Sequence, residues 1–126
     1  MPTSVKQLLA AANEVVPRIT PDEARKLMAE SDALLVDVRD GTELAKTGKL
    51  KGAVHVSRGM LEFRADPETT YHDAAFRRDR PVILYCASGG RSALSGKTLK
   101  DLGFERVHNL GGFKDGVEGG METEPA

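Results

Sequence analysis

The 126-residue chain is 40% hydrophobic and 29% charged, and its 18 basic and 19 acidic residues give a net charge of −1. That length suits one domain with a sizeable core, and the apolar content is too high for a disordered chain. No stretch approaches the roughly 18 apolar residues of a membrane span, and the lack of a basic excess speaks against a nucleic-acid binder.

In chain order, Ser4 and Gln7 form a capping-box pattern, and Val5, Leu8, Leu9, Ala12, Val15 and Val16 recur at helical spacing up to Pro17. Residues 1–17 are therefore read as a helical N-terminal extension to a domain over 18–120. Lys6 is the only early basic residue and the apolar stretch Leu8–Ala12 is shorter than a signal h-region, so no secretory leader is expected. Thr20-Pro21-Asp22-Glu23 combines an N-cap, a first-position proline and an N3 glutamate, and Ala24, Leu27 and Met28 form the inward face of the helix it starts.

The period then changes. Ala33–Val38, Val54–Val56, Pro81–Tyr85 and Val107–Leu110 are short apolar runs with little polar alternation, as expected of strands covered on both faces. A helix over Ser92–Leu102, closed by Gly103, separates the last two. Strand runs alternating with helices predict an α/β fold, a mainly parallel sheet with helices on both faces. Gly59–Arg80 is polar and irregular apart from Met60–Phe63, with a turn near Asp66-Pro67. The stretch Glu118–Ala126 is expected to fray, with 121–126 as a flexible tail.

Cys86 is the single cysteine. It excludes an internal disulfide, and with His55, His72 and His108 scattered it makes no zinc set, so no metal or cofactor is expected. The default is a cytoplasmic protein with a reduced thiol. The three histidines are assigned structural or surface roles. A lone cysteine is more often a small buried hydrophobe than a nucleophile. Here it opens the run Cys86-Ala87-Ser88-Gly89-Gly90-Arg91-Ser92, where a buried strand ends and a helix begins. Ligands of open α/β sheets bind at such strand ends. Two glycines let the backbone curl, and successive N–H groups with a helix N-terminus make a concave anion site. With Arg91 beside it, this predicts an exposed thiol of lowered pKa. Ser88 and Ser92 are read as bonding the sulfur or capping the helix, with the cap favoured for Ser92.

Three blocks carry a resemblance to the single-domain rhodaneses, a sulfurtransferase family, over roughly residues 18–120. Leu35-Val36-Asp37-Val38-Arg39-Asp40 with Glu43, followed by Gly48-Lys49-Leu50-Lys51-Gly52-Ala53, resembles the family's D-V-R-x-x-x-E and G-H-I-P-G-A. The loop opened by Cys86 is the second block. Val107-His108-Asn109-Leu110-Gly111-Gly112-Phe113, similar to V-x-x-L-x-G-G, is the third. Lys49 and Lys51 stand where the family usually has His and Pro, and Gly116 where a tryptophan is common.

The resemblance implies a three-layer rhodanese-like fold and a double displacement. Cys86 takes sulfane sulfur from a small sulfur-containing anion such as thiosulfate, becomes a persulfide, and passes the sulfur to cyanide or a thiol, a protein thiol included. The N–H groups from Ala87, Ser88, Gly89 and Gly90 to Arg91 are expected to stabilise the sulfur anion, with Arg91 holding the donor. Arg58 is a candidate for added positive charge at the rim. Asp37 and Arg39 are supporting residues at a strand end, with an Arg39–Glu43 pair expected. One rival is a persulfide carrier or redox-sensing interaction module. The other is a cysteine phosphatase or arsenate reductase. Those enzymes generally place five residues between Cys and Arg, and here there are four.

Overall fold

A computed structural model describes residues 2–126. Helix α1 (Val5–Val15) and helix α2 (Pro21–Ser31) both begin in complete capping boxes, on Ser4 with Gln7 and on Thr20 with Glu23. Strand β1 (Leu34–Asp37) leads through α3 (Gly41–Thr47) to the short strands β2 (Lys49–Leu50) and β3 (Val54–His55). A 3₁₀ turn at Arg58–Met60 and α4 (Leu61–Ala65) precede β4 (Val82–Cys86), α5 (Gly90–Asp101), β5 (Val107–Gly112), α6 (Phe113–Glu118) and β6 (Thr123–Glu124).

The main sheet has the order β3-β1-β4-β5, all parallel, with Val36 opposite both Val54 and Leu84, and Leu84 opposite Asn109. The central strands β1 and β4 are buried on both sides because each side meets helices. Leu34, Val36, Val82, Leu84 and Val107 pack with Val16, Leu61, Ala65, Leu99 and Phe104. The alternate positions Leu35, Ile83, Tyr85 and Leu110 pack with Ala24, Leu50, Met121 and, from α2, Leu27 and Met28. This is the predicted α/β architecture. Among the described residues no helix is long and apolar enough to cross a membrane.

Three local expectations change. First, α1 lies against α5 along one line only, with Ala12 and Val16 buried while Val5, Leu8 and Val15 remain exposed. The predicted apolar face is therefore wider than the surface that covers it. Second, α5 starts at Gly90, because Ala93 N–H already donates to the Gly89 carbonyl at 3.0 Å. Ser92 thus lies inside the first turn and is not its cap. Third, the C-terminal stretch does not fray. Strand β6 pairs antiparallel with β2, Lys49 reaches Glu124 at 2.9 Å, Lys51 reaches Glu122 at 3.3 Å, and Met121 is buried. The two lysines that depart from the family pattern pair with Glu124 in this strand and with Glu122 just before it. A Cβ at buried Gly116 would stand 2.8 Å from Leu50 Cδ1, so Leu50 fills the space that a larger residue would need there.

Candidate active site

Strand β4 is buried along its whole length and delivers Cys86 to the carboxyl edge of the sheet. The chain then turns through Ala87 and Ser88, both exposed, into α5. Gly89 makes the turn with φ of +101°, and a Cβ there would sit 3.3 Å from Arg18 Nη1 and from Gly111 Cα. A side chain would be strained and crowded at this point. Gly90 has no such constraint.

The turn directs Gly89 N–H at Cys86 Sγ, with 3.0 Å between N and S. Ser92 Oγ lies 3.5 Å from the sulfur on its other side. The thiol itself is only 1% exposed, against the exposed thiol expected from sequence. The loop curls over the sulfur, and burial follows from that curl. Burial pushes the thiol pKa up, but hydrogen bonds from the Ser92 hydroxyl and from the N–H groups of Ser92, Gly89 and Ser88 outweigh it. The net effect holds Cys86 below its ordinary value. Proximity alone would not achieve this without donors already aimed at the sulfur.

Asn109 on β5 ties these donors together. Its Oδ1 accepts from Gly111 N–H at 2.9 Å and lies 2.7 Å from Ser92 Oγ, whose single proton serves either this oxygen or the sulfur, while its Nδ2 donates to the Gly89 carbonyl at 3.1 Å. One buried amide thus holds both residues that flank the sulfur. Its own backbone is clamped by Ile19 N–H, which donates to its carbonyl at 3.0 Å, and by the Pro17 carbonyl, which accepts from its N–H at 2.9 Å. Sequence reading placed Asn109 in a family block without a role. The available signal is a second polar residue, beside His108, in a strand run.

Arg91 takes the partner expected for Arg39. Arg91 donates from Nη1 and Nη2 to the two carboxylate oxygens of Glu43, at 2.7 and 3.0 Å. The fork expected to hold the donor is therefore occupied by a carboxylate. This hydrogen-bonded pairing is the main cause that lowers Glu43 to about 2, and it raises Arg91 above its usual value. Arg39 is buried and turns to Asp37, with Nη2 to Oδ2 at 2.8 Å, and further donates to the Gly48 carbonyl and the Thr47 hydroxyl. Asp37 Oδ1 also accepts from Arg39 N–H at 2.9 Å. Both residues brace the β1–α3 connection. Arg58 sits with Glu62 at 2.9 Å and Thr98 at 3.1 Å, tying α4 to α5. His55 Nε2 donates to the Arg39 carbonyl at 2.7 Å, which fits its expected structural role. A cleft of about 260 Å³ borders the loop at Ala87, between α3 and the start of α6.

The site can hold a sulfur anion: its donors are backbone N–H groups and a hydroxyl, fixed before any substrate arrives. Comparison with known proteins gives the family. The family model of the Rhodanese-like domain matches residues 20–118. The thiosulfate sulfurtransferase GlpE of Glaesserella parasuis is 33% identical over 111 residues, covering 88% of this chain and 92% of that protein. Among solved structures, the polysulfide-sulfur transferase homodimer of Wolinella succinogenes is 33% identical with a TM-score of 0.75, covering 96% of this chain and 87% of that one. A Rhodopseudomonas palustris protein of unknown function, called a possible tyrosine phosphatase, is 37% identical with a TM-score of 0.86 over 98% and 99% of the two chains. The chain spans about a third of the length of the tRNA uridine(34) hydroxylases it also matches: the one from Bartonella quintana is 30% identical over 85% of this chain and 34% of that protein.

Proposed function

The chain belongs to the rhodanese family of sulfurtransferase-like domains, and on that premise we propose that it moves sulfane sulfur from a thiosulfate-like anion to a nucleophilic acceptor through a persulfide on Cys86. The observation that carries this reading is the buried Cys86 sulfur held below its ordinary pKa by Gly89 N–H and Ser92.

In the first half-reaction the Cys86 thiolate forms a bond to the sulfane sulfur of the donor. The donor's S–S bond breaks, and its electron pair leaves on sulfite. In the second, the acceptor bonds the outer sulfur and the Sγ–S pair returns to Cys86 as thiolate. Electrons balance without any added oxidant, and one difficult transfer becomes two easier ones. The loop N–H groups face negative sulfur throughout, so they need little reorganisation between thiolate and persulfide. Arg91, locked to Glu43 and neutralised by it, holds α3 beside the loop rather than gripping the donor. Asp37 and Arg39 keep that connection in place, and Arg58 acts in helix packing.

A phosphatase is the second reading, favoured by the name given to the R. palustris protein. Two features oppose it. Only four residues separate Cys86 from Arg91, and the guanidinium is already paired at 2.7 Å. A phosphate needs that arginine free within the loop. The test is a thiosulfate:cyanide assay run beside aryl-phosphate hydrolysis. The sulfur-transfer reading expects thiocyanate formation that Cys86→Ser abolishes. Phosphate release lost in the same variant, without thiocyanate, overturns it.

A further inference from the structure

Resting on the sulfur-transfer reading, we infer that the cleft between α3 and α6 seats the acceptor, and that this acceptor is a small thiol carrying a carboxylate. Arg39, Glu43, Lys46, Ala87, Phe113 and Lys114 are among the residues that line the cleft. Its volume of about 260 Å³ falls just below the usual range for small-molecule pockets, about 300–1,000 Å³, and is far too little to enclose a folded partner.

The charges inside it do not balance. Arg39 is neutralised by Asp37 at 2.8 Å, and Glu43 is taken by Arg91 at 2.7 Å. Lys46 on α3 is left without a carboxylate partner among the described residues, and Lys114 on α6 has only the exposed Glu118, at 3.8 Å, at the edge of ion-pair range. The floor between them is the Phe113 ring, with the Arg39 guanidinium stacked 4.5 Å from its centroid. An anionic group suits the walls and a short methylene body suits the floor.

The position of the cleft favours the acceptor over the donor. A donor must bring its sulfane sulfur to Sγ, where Gly89 N–H and Ser92 already receive negative charge. An acceptor attacks the outer sulfur, one bond further from the buried thiol. It therefore approaches from the solvent side of the loop, where Ala87 is exposed and borders the cleft. The thiolate of the ligand forms the new S–S bond while its carboxylate rests between Lys46 and Lys114.

The experiment isolates the second half-reaction. Protein loaded with thiosulfate and freed of excess donor is mixed with 3-mercaptopropionate or with 2-mercaptoethanol, thiols of similar size with and without a carboxylate. Loss of persulfide is followed in a single turnover for wild type, Lys46→Gln, Lys114→Gln and the double variant, after thermal melts show all four folded alike. We expect the double variant to react about five- to tenfold more slowly with 3-mercaptopropionate, the scale of two exposed charge contacts. Its rate with 2-mercaptoethanol should stay within about twofold of wild type. An equal loss with both thiols, or none with either, overturns the assignment. Slower loading by thiosulfate with unchanged acceptor rates would make the cleft a donor site and overturns it as well. Wild-type protein that takes up no sulfur from thiosulfate sinks the underlying reading and this assignment with it, and is seen before any thiol is added.

Discussion

Arg91 on α5 and Glu43 on α3 face each other in a two-pronged pair, with both carboxylate oxygens accepting at 2.7 and 3.0 Å. The pair fixes the helix that follows the cysteine loop to the helix that follows β1. It also removes from the anion-binding inventory the arginine that the loop sequence offers most directly.

The acid stability of the fold should depend on this pair. The Arg91 hydrogen bond holds Glu43 at about 2, below the roughly 4.3 of an unfolded glutamate. A depressed carboxylate stabilises fully above its unfolded value, and that contribution is lost as pH falls towards the folded one. Wild type should therefore lose thermal stability between about pH 5 and pH 2 more steeply than Glu43→Gln. Melting curves that stay parallel over that range contradict the pairing.

The thiol should titrate through Ser92. Alkylation of Cys86 by iodoacetamide should inflect below the free-thiol value of about 8.5 in wild type. Ser92→Ala removes one donor to the sulfur, so its inflection should move up while the fold persists. The loss at limiting pH should be small beside the shift. An inflection unchanged in Ser92→Ala would mean that the 3.5 Å contact carries no hydrogen bond to the thiolate.

Asn109 is predicted to matter for both stability and reactivity. Asn109→Ala leaves Gly111 N–H and the Gly89 carbonyl without their side-chain partner. The Gly89 carbonyl keeps Ala93 N–H, so one buried group, the Gly111 N–H, is left unpaired at a cost of about 1–3 kcal/mol, readable by chemical denaturation. The freed Gly89 peptide should also raise the Cys86 inflection. A variant as stable as wild type would show that water replaces the amide.

The terminal strand is predicted to stabilise without touching the chemistry. Removing residues 122–126 deletes β6 together with the Glu124 contacts to Lys49 at 2.9 Å and to Gly52 N–H at 2.7 Å. A few such hydrogen bonds, partly exposed, amount to about 1–3 kcal/mol. The truncated protein should melt lower while its kcat for thiocyanate formation stays within about twofold of full length. A large fall in kcat with unchanged melting would place the tail in the reaction.

Local patterning carried much of the fold. The buried runs Leu34–Asp37 and Val82–Cys86 are strands because helices cover both of their faces, and the caps at Ser4 and Thr20 act within one turn. The cysteine loop was equally legible, since Gly89 must be glycine for a local reason. The pairings across the fold were not. Glu43 and Arg91 are 48 positions apart, and Ser92 and Asn109 are 17 apart, so no periodicity connects them. The same holds for β6: Gly- and Glu-rich composition suggests fraying, whereas the partners that order it, Lys49 and Lys51, lie more than 70 positions away. Burial of the thiol is not legible in the sequence, because the loop is exposed at Ala87 and Ser88 while its first residue is covered.

Mass spectrometry of the intact protein and its peptides after thiosulfate treatment bears most directly on sulfur transfer through Cys86. One added sulfur on the peptide holding Cys86, lost on cyanide treatment and absent from Cys86→Ser, is the predicted result. Unmodified Cys86 in protein that still forms thiocyanate would contradict the persulfide.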